Sequence, residues 1–258
     1  MMIDPPQGHL DGRPVRALAR SYPDHHLIPT HRHPRGQLIH AVTGVMELTT
    51  ATRLWLIPPG RALWVPPNID HGLRARGRVE LRSLYLHPTA IPATAPATPT
   101  AVTVSPLLRA LLVQAIAIPD SAPLSPRDRH LLALIPWELD WSASPPWSLP
   151  TAQSPRLRRL CERILADPAD GRTLAAWGHE IGASARTLAR LFQAETGMSF
   201  HLWRQQARLL LALPRLAAGE AVTLVALDRG YASPGAFAAM FRRCTGTTPR
   251  AFFPPAPE

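Results

Sequence analysis

The chain repeats itself once near its C-terminus, with the two copies 49 residues apart. Ser184, Leu188, Leu191, Phe192, Thr196 and Gly197 recur as Ser233, Phe237, Met240, Phe241, Thr245 and Gly246. A capping serine, apolar residues at helical spacing and a terminating glycine describe a short amphipathic helix. Each copy follows another short helical segment across a glycine-containing turn, which predicts two helix-turn-helix units, at about 172–194 and 221–243. Such a pair restricts the C-terminal part of the chain to an all-α domain and suggests a reader of neighbouring DNA grooves.

Charge supports that partner. The 258 residues carry a formal charge of +10, and all 28 cationic side chains are Arg. Residues 151–258 hold 14 Arg against 8 acids, and residues 1–150 hold 14 against 10, so the shorter segment is denser in positive charge. Every cation is therefore a permanently charged fork suited to phosphates and guanine edges. The two cysteines, Cys161 and Cys244, form no disulfide framework, which predicts a reducing, cytoplasmic setting. Met1–Leu10 has no apolar leader segment, and no apolar run reaches the roughly 18–20 residues that span a bilayer, so neither export nor a membrane partner is expected.

The N-terminal part reads differently. Short strands are expected at Leu38–Val42, Val45–Thr50, Arg53–Ile57, Ala62–Val65 and Glu80–Leu86, a spacing that implies a sandwich or barrel. The Pro/Ala/Thr stretch 88–100 reads as a connection. Helices are expected at Pro106–Ile116 and Pro126–Leu134, each opening with Pro after a capping Ser. Trp137, Trp141 and Trp147 lie among prolines as a second linker, and Pro214 is expected to interrupt or end a long helix that starts at Ser199. The expected division is a sensor domain over 1–95, a linker with dimerisation helices over 96–150, and a DNA-binding domain over 151–258.

Pro155–Phe253 resembles the DNA-binding domain of the AraC/XylS family of transcription regulators. The resemblance rests on Leu174-Ala175-Ala176-Trp177, on Ser184-x-x-Thr187-Leu188-x-Arg190-Leu191-Phe192, and on Gly230-Tyr231-x-Ser233-x-x-x-Phe237-x-x-x-Phe241-Arg242 with Gly246-x-x-Pro249. It implies two recognition helices joined by one connecting helix and entering successive major grooves, about 34 Å apart. Carried onto this sequence, the DNA-facing residues are Ser184, Arg186, Thr187 and Arg190 in the first helix, and Ser233, Gly235, Ala236, Ala239, Arg242 and Arg243 in the second. Arg186 and Arg190 lie four apart and share a face. The outer face of the second helix offers almost no side-chain hydrogen bonding before its arginines, so it is expected to position rather than to read.

His31-x-His33-x-x-x-Gln37, Gly44, Gly60, Pro66 and His71 are spaced like the two cupin motifs, with Gln37 where glutamate is usual and Asn68 where glycine is usual. That similarity implies inward-facing His31, His33, Gln37 and His71 as an effector-binding set. The three histidines are also candidate ligands for a divalent metal, although no cofactor is required. An effector pocket with metal, a metal-free pocket and a catalytic metal site all remain open at this point. The whole chain is similar to family members in which a cupin-like barrel senses a small molecule ahead of the DNA-binding domain. The resemblance implies a ligand-responsive transcription regulator and not an enzyme. Its partners would be double-stranded DNA, a small-molecule effector, RNA polymerase and a second copy of the chain. Leu107, Leu108, Leu111, Leu112 and Ile116 form a stripe that either pairs protomers or packs back on the barrel. The competing readings are a cupin metalloenzyme fused to a DNA-binding domain and a constitutive DNA-binding protein.

Overall fold

A computed structural model describes residues 13–119, 123–141 and 147–253. The readings of Met1–Leu10 fall outside the described residues. The chain divides into a sheet-rich unit, Met1–Leu48 with Ile57–Ser144, and a helical unit, Thr49–Leu56 with Pro145–Glu258.

The sheet unit contains β1 (Val15–Tyr22), β2 (Leu27–His31), β3 (Gly36–Thr49, whose last residue belongs to the helical unit), β5 (Arg61–Val65), β6 (His71–Leu86) and β7 (Thr100–Thr103). The long strand β6 pairs β1 along its second half and β2 along its first, and β3 lies on its other side. β5 then pairs antiparallel with both β3 and β7. No pairing among the described strands joins β7 back to β1, so hydrogen bonds leave this sheet open.

One face is covered by α1 (Pro106–Ile116) and α2 (Pro126–Leu134). Both open as expected, with Ser105 and Ser125 accepting N–H bonds at the N-cap and Pro in the first turn. Leu108, Leu111, Leu112 and Ala115 join Leu38, Trp64, Leu84, Leu86 and Val102 in one core. Three members of the apolar stripe on α1, Leu108, Leu111 and Leu112, are thus spent inside the sheet unit, and Leu107 stays exposed. Trp64 is fully buried in this core, with its indole N–H donating to Pro96 O.

Gly44 does not divide two strands as its position suggested. β3 runs through it at φ 67°, and a Cβ there would lie 2.3 Å from Arg78 O. The glycine permits a close approach of the neighbouring backbone in the middle of one strand.

The helical unit begins with β4 (Arg53–Ile57, its last residue being in the sheet unit), which pairs antiparallel with β8 (Ser148–Pro150). Trp147, expected in a linker, is buried beside this strand pair, and Leu56 N–H donates to its carbonyl. Seven helices follow: α3 (Pro155–Ala166), α4 (Leu174–Ile181), α5 (Ala185–Thr196), α6 (Phe200–Ala217), α7 (Val222–Asp228), α8 (Pro234–Thr245) and the single turn α9 (Pro249–Phe252). Pro214 neither interrupts nor ends α6, which continues three residues beyond it. Proline inside a helix costs about 3 kcal/mol. Buried Leu213 and Leu216, each contributing about 1.5–3 kcal/mol, offset that loss. The 18 residues of α6 give a rod of about 27 Å.

Candidate DNA interface and effector site

The two helix-turn-helix units are built by the same local devices. The side chains of Ser184 and Ser233 accept N–H bonds from Thr187 and Ala236, and α5 and α8 stop at Gly197 and Gly246 with φ of 69° and 80°. Leu188 and Phe192 in the first, and Phe237, Met240 and Phe241 in the second, are buried. Ser184 Oγ also lies 2.9 Å from Thr187 Oγ1, so both hydroxyls are engaged in the cap. Glu195, near the end of α5, accepts from the N–H groups of Gln153 and Ser154 and so caps α3. Burial works against that carboxylate, but the donors outweigh it and hold its pKa below the usual range.

The outward faces differ in chemistry. On α5, Arg186, Ala189, Arg190 and Gln193 are exposed. On α8 the exposed set is Gly235, Ala236, Ala239, Arg242 and Arg243. Gln193, absent from the sequence-based set, lies three residues beyond Arg190 on the same face, and helical spacing alone would have found it. Several arginines of this unit are engaged within the fold. Arg172 pairs with Asp170 and Glu180, and Arg215 with Glu220 and Asp228. Arg204 and Arg208 donate to backbone carbonyls of residues 168–172. The side chains of Arg156, Arg159, Arg186, Arg190, Arg242, Arg243 and Arg250 make no ion pair or hydrogen bond among the described residues and are exposed. Five of these seven arginines lie on α5, α8 and α9, and the other two lie on α3.

The sheet unit gathers its histidines at the other candidate site. His31 ends β2 and faces His71, the first residue of β6, across the strand pair. His33 lies in the turn before β3, off the strand that carries His31, and Gln37 is on β3. The ring centroids of His31 and His71 are 4.4 Å apart, and those of His33 and His71 are 5.3 Å apart. Gln37 Oε1 lies 3.1 Å from His33 Nε2 and 3.3 Å from His71 Nε2, while its Nε2 donates to Ser83 Oγ and Tyr85 Oη. Ser83 and Tyr85, from the far end of β6, are site residues that local spacing does not reveal. Asn68 adopts φ 61°, a left-handed conformation that Asn tolerates and glycine favours, and its N–H donates to His33 O. The exchange of glycine for Asn thus preserves the turn that ties the two motifs together. His40 lies outside the cluster, buried, with Nδ1 bonded to Arg61 O.

Burial dominates the electrostatics here. It lowers the pKa of His33, and it lowers that of His71 from 6.5 to about 4, with neighbouring His31 and His33 adding to the effect and exposed Asp70 opposing it. In metal-stripped protein the folded His71 ring stays neutral while the unfolded ring protonates near pH 6.5. The unfolded state therefore binds more protons between pH 6.5 and 4, and stability falls as pH drops through that window. The expected slope from this ring approaches about 1.4 kcal/mol per pH unit. Urea unfolding of the chelator-treated protein at several pH values measures it, and a flat profile from pH 7 to 4.5 would contradict the burial.

Fold and sites together define a two-domain regulator, with a ligand-binding sheet unit and a helix-turn-helix unit on one chain. A family model described as "AraC-like ligand binding domain" matches residues 14–176, and one described as "Helix-turn-helix domain" matches residues 177–254. The chain belongs to the AraC family of transcription regulators. It is 35% identical over 221 residues to the HTH-type transcriptional regulator NimR of Escherichia coli, covering 86% of this chain and 80% of that protein. It is 38% identical over 104 residues to the HTH-type transcriptional regulator RipA of Corynebacterium glutamicum, covering 40% of this chain and 31% of that protein. A solved structure of ToxT from Vibrio cholerae aligns with a TM-score of 0.39 at 8% identity, over 93% of this chain and 98% of that one. No helix among the described residues is long and apolar enough to cross a membrane.

Proposed function

We propose that this regulator reads DNA sequence with α5, positions itself with α8, and responds to a small molecule held at His31, His33, Gln37 and His71. The observation carrying the DNA reading is the division of the arginines. Arg172, Arg204, Arg208 and Arg215 are engaged within the fold, and of the exposed arginines without a side-chain partner among the described residues five, Arg186, Arg190, Arg242, Arg243 and Arg250, lie on α5, α8 and α9 against two, Arg156 and Arg159, on α3. Ser184, Thr187 and Ser233 serve as caps whose neighbouring backbone can meet phosphates, and Gly235, Ala236 and Ala239 let α8 approach the groove closely. The response is a coupling free energy, in which effector binding changes the relative stability of DNA-binding arrangements.

We read the sheet unit as a receptor, in keeping with the ligand-binding family model that covers it. Three imidazoles are a suitable donor set for zinc, nickel or iron, and a bound metal would supply Lewis acidity for holding a ligand. The cytoplasm is the expected location, with a second copy of the chain and RNA polymerase as further partners. With Leu108, Leu111 and Leu112 buried, the self-association surface on the linker helices reduces to exposed Leu107, Val113 and Leu134, with Trp137 beyond them at 80% exposure.

Hydroxyl-radical footprinting with the full chain tests the two-helix reading. Each protomer should protect two backbone patches about one helical turn, roughly 10 base pairs, apart. One patch per protomer would contradict it.

A further inference from the structure

The backbone fixes how the three histidines present themselves. Nδ1 of His31, His33 and His71 lies 2.9, 2.6 and 2.8 Å from the carbonyl oxygens of Pro29, Arg35 and Ile69. A carbonyl oxygen only accepts, so each Nδ1 carries the proton, and in the neutral ring each Nε2 is left with a bare lone pair. The cluster places one ligand atom from each ring within 4.8 Å of the others. Against two of these nitrogens stands a further acceptor, Gln37 Oε1. Acceptors thus converge with no proton between them, an arrangement that a cation resolves.

Gln37 has a second way out. Rotated by 180°, its amide would donate to His33 and His71 while its oxygen accepted from Ser83 and Tyr85, whose hydroxyls serve as donors or acceptors equally well. The carboxamide therefore has one orientation suited to a bound cation and another suited to the metal-free site, and its hydroxyl partners permit both.

Charge then determines what else must bind. Three imidazoles and a carboxamide are all neutral, and no Asp, Glu or Cys joins the cluster among the described residues. A divalent ion held by these groups keeps its full charge in a setting where His71 is fully buried and His33 nearly so. An uncompensated buried charge is costly, and an anion supplied from solvent removes the cost. His31, the one ring with appreciable exposure, marks the accessible side.

We propose that the effector site is a metal-dependent anion receptor. A divalent transition metal sits on Nε2 of His31, His33 and His71 and on Oε1 of Gln37, and a small carboxylate completes its coordination. This rests on the reading of the cluster as the effector site and adds the class of ligand. The neutral residue at position 37 is what creates the demand for an anion. A glutamate there would supply the charge internally.

The test uses the full chain, freed of metal by chelation, and Co²⁺ as a spectroscopic probe. Wild-type protein should bind one Co²⁺, and acetate should then shift the visible d–d bands. Acetate should give no calorimetric signal with the metal-free protein. Gln37→Glu should bind Co²⁺ at least about tenfold more tightly and acetate at least about tenfold more weakly. His31→Ala, at the partly exposed ring, should weaken Co²⁺ binding while the circular dichroism spectrum stays unchanged. If Co²⁺ binds wild-type protein but acetate leaves the bands unmoved, or if Gln37→Glu binds acetate as wild-type does, the anion receptor is overturned and the metal site survives. If wild-type protein and His31→Ala bind Co²⁺ equally weakly, the metal reading beneath it falls as well.

Discussion

Arg190→Ala should lower affinity for the preferred duplex by roughly 5- to 150-fold at fixed salt, and Ala239→Ser should change it by less than about twofold. The two positions lie five residues beyond the helix starts Ala185 and Pro234 and on corresponding outer faces, so fold alone gives no reason for a difference. Chemistry does. Arg190 is exposed, makes no ion pair among the described residues, and lies one turn from Arg186 on the same face. A guanidinium so placed can bond a guanine edge bidentately, which is worth about 1–3 kcal/mol of discrimination. Ala239 offers a methyl group. Fluorescence anisotropy with the preferred duplex and a scrambled one separates reading from mere charge. If Arg190→Ala weakens binding to both duplexes equally, this arginine meets phosphate and α5 is not the reader.

Gly178→Ala should destabilise the first helix-turn-helix unit by about 1–3 kcal/mol and abolish its contribution to DNA binding. Replacing a helical glycine by alanine normally stabilises by up to about 1 kcal/mol, so propensity predicts the opposite sign. The turn decides the matter. Gly178 is buried in α4, and its carbonyl accepts from Ala183 N–H at 2.9 Å. A Cβ at this position would lie 2.4 Å from Ala183 O and 3.5 Å from Ala185 N, the backbone that launches α5. No side chain can swing aside to relieve that contact. The entry angle of α5 must shift, and with it the guanidinia of Arg186 and Arg190. Urea unfolding and anisotropy on the variant measure both effects. Unchanged or raised stability would show that propensity outweighs the contact.

The helical unit was legible in the sequence because its signals are local. The cap at Ser184 and stop at Gly197, and likewise Ser233 and Gly246, enclose their apolar spacing within fourteen residues. What was not legible depends on partners far along the chain. The reading of Pro214 as a break failed because buried Leu213 and Leu216 outweigh one missing hydrogen bond. The apolar stripe on α1 could not declare by itself whether it faced a second protomer or its own sheet, and most of it went into the core. At the effector site, the spacing of His31, His33, Gln37 and His71 placed the cluster. Ser83 and Tyr85, which orient Gln37 from 46 and 48 residues away, carried no local mark. The division of the arginines into paired and unpaired sets was likewise invisible, since it turns on where Asp170, Glu180, Glu220 and Asp228 fall in space.

In the proposed function two helices alike in fold divide the work, one reading sequence and the other positioning the protein. Selection of binding sites from a random duplex library by the purified full chain tests this directly. The account predicts one sharply defined half-site and, about one helical turn away, one degenerate half-site. Two equally sharp halves would contradict it.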